Sequence, residues 1–166
     1  MAIFKSRQKM FERHRIELKD PDPELRMRAA YELSNLGMKE AIPLLIGALS
    51  DNDKRVRWKA AYALGDFGEM GSEDAFQSLA SHLSSEQDWN VRRIIVMALR
   101  HWDEKAVPYL VNALSDGSEY VRRYAAMTLG FKKAFEAGPH LKRLASIDSS
   151  KEVRSYARWA LEQMKG

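Results

Sequence analysis

The chain repeats itself, and that limits its fold more than any other feature. Five segments align without gaps: LRMRAAYEL (25–33), VRWKAAYAL (56–64), VRRIIVMAL (91–99), VRRYAAMTL (121–129) and VRSYARWAL (153–161). Each opens with Leu or Val followed by Arg, and each carries Leu seven residues after that Arg. The arginines are Arg26, Arg57, Arg92, Arg122 and Arg154, spaced by 31, 35, 30 and 32 residues. A fixed motif with small spacing changes means one supersecondary unit used five times, with length differences absorbed in turns.

Each unit can be numbered from its Arg as position zero. An acid stands at −6 in all five: Asp20, Asp51, Glu86, Asp116 and Asp148. Position −4 reads Asp22, Asp53, Asp88, Ser118 and Ser150. These side chains accept hydrogen bonds from free N–H groups of a first helical turn, so −4 is a helix N-cap. Pro23 follows at the first helical position, where its missing N–H costs nothing. Apolar residues then recur at −1, +3, +7 and often +10, the stripe of an amphipathic helix, and period-two alternation is absent. Each motif is therefore a second helix, B. A first helix, A, precedes it in AIPLLIGALS (41–50), DAFQSLASHL (74–83), AVPYLVNALS (106–115) and GPHLKRLAS (138–146). Pro43, Pro108 and Pro139 sit near the A-helix starts. Gly37, GDFGEMG (65–71), Asp103 and Gly138 mark the breaks between units. Two such helices cannot bury their apolar faces alone, but stacked pairs share a continuous core. The expected fold is an all-α, right-handed α-solenoid of five helical hairpins, at approximately 3–37, 38–70, 71–102, 103–134 and 135–166, in one domain.

Neither the tetratricopeptide pattern nor the ankyrin Thr-Pro-Leu-His segment is present. The segments DNDKRVRWKAAYALGDFG (51–68) and DGSEYVRRYAAMTLG (116–130), joined to AIPLLIGALSD and AVPYLVNALSD, resemble HEAT repeats, specifically the short HEAT-like repeats of the phycobilin (PBS) lyase type. The resemblance covers roughly residues 15–164. It implies the fold strongly and the function weakly, because the motif residues are structural and one fold hosts many activities.

The chain carries 27 basic and 23 acidic residues, a net charge of +4. Residues 1–20 supply six bases and three acids, so the body is almost neutral. The five arginines at position zero could suggest a phosphate-binding row. An acid at −6 accompanies every one, however, and Arg suits bridging a carboxylate and helix-terminal carbonyls. The stronger expectation is an Asp–Arg ladder along the seams between units.

On a helical wheel the core stripe of each B helix lies between −1 and +7. Positions +1, +5 and +8 lie opposite it, flanked by +2 and +9. In HEAT-like stacks the B helices line the concave side, so these positions are expected to face a groove. Position +5 reads Tyr31, Tyr62, Met97, Met127 and Trp159. Position +1 reads Met27, Trp58, Arg93, Arg123 and Ser155. Position +2 reads Arg28, Lys59, Ile94, Tyr124 and Tyr156, and Arg100 stands at +8. Tyr, Trp, Met and Arg are the residue types enriched at protein interfaces. The candidate binding residues are Trp58, Tyr62, Arg93, Met97, Arg123, Tyr124, Met127 and Trp159. Shading by neighbouring helices is the competing reading of +5, strongest for Met97 and Met127. The third unit is bulkier, with Ile94-Ile95-Val96 and an Arg100-His101-Trp102 ending. It either alters the local curvature or compensates for the long 65–71 loop.

The absence of cysteine excludes disulfides, a thiol nucleophile, iron–sulfur clusters and cysteine zinc sites. His14, His82, His101 and His140 stand at unrelated positions and read as surface residues. The chain has no His-Glu dipeptide, the repeated di-iron motif of the HEAT-like enzyme deoxyhypusine hydroxylase. No phosphate loop, serine nucleophile motif or paired carboxylates appear. No cofactor and no metal are expected.

The first A helix (3–18) puts Phe11 and Leu18 at core positions, but His14 and Arg15 where Leu45 and Ile46 stand. Arg158 replaces Ala at +4 of the last unit, and Glu162-Gln163 replaces its Gly turn. These read as polar caps, so the array is expected to be complete. The N-terminus lacks the apolar stretch of a signal peptide, which points to the cytoplasm. The leading functional expectation is a non-catalytic, monomeric scaffold that binds a partner protein or peptide and no membrane. The alternative is nucleic-acid backbone binding, as in HEAT-like DNA glycosylases, although those need a catalytic carboxylate not assignable here. A bilin lyase-like or chaperone subunit is the third.

Overall fold

A computed structural model of the chain describes residues 2–68, 70 and 72–165, without the side chains of 2–4. Ten α-helices and no strand occur among the described residues. The A helices are α1 (Ala2–Glu17), α3 (Ile42–Ala48), α5 (Glu73–Ser85), α7 (Val107–Ala113) and α9 (Gly138–Ile147). The B helices are α2 (Pro23–Asn35), α4 (Lys54–Asp66), α6 (Trp89–Ala98), α8 (Glu119–Phe131) and α10 (Lys151–Gln163). Single 3₁₀ turns lead into α3, α7 and α9, and another, Leu99–His101, extends α6.

Local chemistry sets these limits. Asp22, Asp53, Asp88 and Ser150 accept from first-turn backbone N–H groups of α2, α4, α6 and α10. Ser118 holds the same extended backbone before α8 without that side-chain bond. Proline occupies the first turn of α2, α3, α7 and α9. Gly37, at φ 58°, turns the chain out of α2.

The core follows the stripe. Leu33, Leu64, Leu99 and Leu129 at +7 are fully buried, as are Leu45, Leu79, Leu110 and Leu141 of the A helices. Positions +3 and +4 hold buried alanines in units one, two and four, and those small side chains let helices approach closely. Successive B helices pack along their lengths on one another, whereas successive A helices touch far less. A tight layer beside a looser one bends the stack, which puts the B helices on the inner wall.

Four of the five arginines form seam rungs, each to the acid of the following unit. The Nε and Nη2 groups of Arg26 donate to both oxygens of Asp51 at 2.7 and 2.8 Å. Arg57 grips Glu86, Arg92 grips Asp116 and Arg122 grips Asp148 in the same bidentate way, all within 2.9 Å. Nη1 turns back to the −6 and −5 carbonyls of its own unit, as Arg122 does to Asp116 and Gly117. Each acid also accepts from the N–H at −4, so one carboxylate ties a turn, a helix start and the neighbouring unit together. Arg154 makes only the carbonyl contacts, to Asp148 and Ser149.

Three expectations need correction. His14 is fully buried, not at the surface. It fills the core slot that Leu45 takes in the next unit; its Nδ1–H donates to Glu17 at 2.7 Å and Nε2 accepts from Arg13 at 3.3 Å. Ile94 is buried rather than facing the groove. Position +8 belongs to the seam in three units: Ser34, Gly65 and Gly130 are buried there. At the end of the third unit the buried Trp102 indole lies against Gly68, 5.9 Å from the Phe76 ring, and donates its N–H to the Ser72 carbonyl. A Cβ on Gly68 would stand 2.9 Å from that indole.

Candidate functional site on the concave face

Positions +1, +2 and +5 of the B helices, outward except at the buried Ile94, contain four cations and no acid: Arg28, Lys59, Arg93 and Arg123. The rungs neutralise their arginines, but these four cations have no carboxylate within ion-pair distance among the described residues. Three of them instead lie over aromatic rings. The Lys59 ammonium sits 4.7 Å from the centroid of Tyr31, 4.9 Å from Trp58 and 5.5 Å from Tyr62. Arg93 lies 5.1 Å from the Tyr124 centroid. Arg123 spreads over Tyr120, Tyr124 and Tyr156 at 5.4, 5.3 and 5.9 Å.

The eight candidate residues divide by environment. Trp58 is half-buried and stacks on Tyr62, which is 45 % exposed, with centroids 5.8 Å apart and planes within 4°. Arg93 is held by the Asn90 side-chain carbonyl at 2.7 and 3.0 Å and touches the Met97 sulfur at 3.6 Å. Tyr124 bridges Arg93 and Arg123. Met97 and Met127 are half-buried, between open surface and core. Trp159 stands apart. It packs edge-on to Phe131 at 5.0 Å and presses on the face of Gly130, so packing between α8 and α10 is its main contact. The seven others run in one strip across α4, α6 and α8.

Sequence reasoning missed two members. Trp89 and Tyr120 stack with centroids 4.7 Å apart and are 42 % and 43 % exposed. They stand at −3 and −2, a first turn that is polar or proline in the other units. An aromatic in each of two neighbouring polar turns was the available signal. Trp58, Trp89, Met27 and Val91 line a cleft of about 370 Å³ between α4 and α6. Two of its three cations are neutralised, because Lys54 pairs with Asp88 at 2.9 Å and Arg55 with Asp53 and Glu24; the third is Lys59. The Arg55 side chain and N–H hold the Asp53 carboxyl down at about 2.

No group of three His, Cys, Asp or Glu side chains is placed to hold a metal among the described residues. No helix among them is long and apolar enough to cross a membrane.

A family profile of HEAT repeats matches residues 13–100 and 77–162. Among solved structures, the complex of CpcE and CpcF of phycocyanin lyase from Nostoc sp. PCC7120 is similar, with 24 % identity and a TM-score of 0.75. It covers 93 % of this chain and 64 % of the other. A designed armadillo repeat protein in complex with the peptide (KR)4 shows 21 % identity and a TM-score of 0.67, over 96 % and 86 % of the two chains. An engineered protein shows 23 % identity and a TM-score of 0.61, over 93 % and 79 %. No curated protein matches significantly. At these identities the structural likeness speaks to the fold alone.

Proposed function

The chain belongs to the HEAT-repeat family, and from that premise we propose that this helical scaffold works without catalysis and binds a segment of a partner protein along its concave face. The observation that carries the reading is the strip in which Tyr62 is exposed and Trp58, Arg93, Met97, Arg123 and Tyr124 are half-buried. Exposed aromatic and Met surface costs free energy in a monomer and is recovered when a partner covers it. The Asn90 bonds and the ring stacks hold these side chains in place, which lowers the entropy lost on binding. Solved neighbours of the same fold are consistent with this use: one is a complex of two proteins, another holds a peptide.

Nucleic acid is the second reading, because arginine and tyrosine also serve phosphates and bases. Here Lys59 lies over Tyr31, Trp58 and Tyr62, and Arg93 over Tyr124, so a stacking base would have to share these rings with cations.

The test is capture of partners by the wild-type chain beside Trp58→Ala/Tyr62→Ala, with helix content checked by circular dichroism. Tyr62 is paired with Trp58 because the two rings stack, whereas Trp159 packs between α8 and α10. Proteins held by the wild type, lost in the variant and retained from roughly 50 to 200 mM salt are the expected result. Equal capture by both chains refutes the reading, and a phosphate-driven complex would weaken steeply over that salt range.

A further inference from the structure

We propose that the segment bound on this face is acidic and extended, and that it anchors one bulky apolar side chain in the cleft between Trp58 and Trp89. The inference rests on the partner-binding reading above and adds the chemistry of the partner.

The first support is the sign of the face. Fourteen of its fifteen residues at +1, +2 and +5 face outward, Ile94 being buried, and the fourteen carry four cations and no acid; the neighbouring acid at +9, Asp66, accepts from the Ser34 hydroxyl. The seam arginines are saturated by carboxylates, whereas Lys59, Arg93 and Arg123 are not. Glu152 feels the field of Arg123 but takes its hydrogen bond from the Ser150 hydroxyl. A guanidinium lying on a ring keeps its edge N–H donors open, and two parallel N–H groups match a carboxylate. Rings below and carboxylates above would complete the shell of each cation.

The second support is spacing. Lys59, Arg93 and Arg123 advance by one B helix each, roughly 8–10 Å per step. An extended polypeptide rises about 3.3 Å per residue. An acidic side chain every second or third residue therefore keeps pace with the cations.

The third support is the cleft. Trp58, Trp89, Met27 and Val91 give it apolar walls, Lys54 and Arg55 on its rim are already paired, and Lys59 of the cationic row stands at its edge. It suits an uncharged side chain beside the cationic row. The peptide-bound neighbour carries a Lys/Arg peptide, which the cations of this face would repel.

The experiment is a selection of random 12-residue peptides on the immobilised full chain, with counter-selection on Trp58→Ala/Tyr62→Ala. The enriched pool is expected to be net acidic, with acids two or three residues apart and one Leu, Phe or Trp. The best peptide should lose about tenfold or more in affinity on Arg93→Glu or Arg123→Glu, and on replacement of its own acids by Gln. It should lose less on Lys151→Glu, a charge outside the strip. An enriched pool that is neutral or basic overturns the acidic assignment and leaves the partner-binding reading standing. Enrichment that ignores the concave substitutions overturns both. A single-stranded oligonucleotide that competes with the selected peptides at lower concentration, and loses its effect on Arg93→Glu, transfers the face to nucleic acid and also overturns the proposal.

Discussion

Arg122 makes four hydrogen bonds, two to a carboxylate in the following unit and two to carbonyls in its own. Its partner Asp148 keeps only 4 % of its side chain in water, so truncation strands a nearly buried charge. Arg122→Ala is expected to cost about 3 kcal/mol in urea unfolding. Arg154→Ala, which breaks only carbonyl contacts, should cost about 1 kcal/mol. Equal losses for the two would remove the rung as the cause. The pH response follows from the same atoms. Burial pushes the Asp148 carboxyl up, but the Arg122 fork, the Ser150 N–H and the Arg122 charge together bring it below its ordinary value. Asp51, Glu86 and Asp116 shift the same way. A carboxyl lowered by folding adds stability above its unfolded pKa, near 4, and loses it as the pH falls through the folded value. Wild-type stability should therefore hold between about pH 7 and 5 and drop below about 4. The gap to Arg122→Ala should close as Asp148 protonates; a gap that is constant down to about pH 2 would exclude the linkage. The rung was legible in sequence because acid and base recur together at fixed offsets. His14 was not, since a lone histidine carries no periodic signal and its burial depends on Glu17 and Arg13 closing over it.

Helix limits followed from caps, prolines and the apolar stripe, all local chemistry that a sequence displays. What a wheel misreads is +8. A wheel assumes one buried face, but a B helix in this stack touches its A helix and a B helix on either side. Gly130 shows the result. A Cβ there would lie 2.6 Å from the Trp159 ring and 2.9 Å from the Ala160 backbone of α10. Gly130→Ala must push α8 and α10 apart and is expected to cost about 1–3 kcal/mol. Gly47, inside α3, has nothing within 4 Å of its missing Cβ. Gly47→Ala should gain about 0.5–1 kcal/mol from helix propensity alone. Thermal melts of both variants check the contrast, and a stabilised Gly130→Ala would mean that the two helices are not in contact at that point. The same blindness hid the Trp89–Tyr120 stack. Each aromatic is visible in its own turn, but their meeting depends on how one hairpin sits on the next.

At the scale of the whole molecule the stack is nearly one-dimensional, since each hairpin touches only its neighbours. Its cooperativity is then as strong as its weakest seam. Among the four B–B seams, α6 on α8 is the least extensive. Helix α6 is the shortest B helix, and its 3₁₀ end carries Trp102 back onto the Ser72 carbonyl rather than forward onto α8. The rung between Arg92 and Asp116 is thus a larger share of what joins the two halves. Arg92→Ala is expected to do more than lower the midpoint. It should split urea unfolding into two steps, or reduce the apparent slope with denaturant, as the halves begin to melt separately. Three of the four tryptophans, Trp58, Trp89 and Trp102, lie before the seam and only Trp159 after it. Fluorescence and far-ultraviolet circular dichroism should therefore cease to coincide in Arg92→Ala while still coinciding in Arg122→Ala. Coincident curves with an unchanged slope in both variants would show that the chain unfolds as one block. Separable halves would bear on the concave strip as well, because Lys59 lies before that seam, Arg93 on it and Arg123 beyond it. A partner lying along all three would bridge the weakest joint and should restore a single transition.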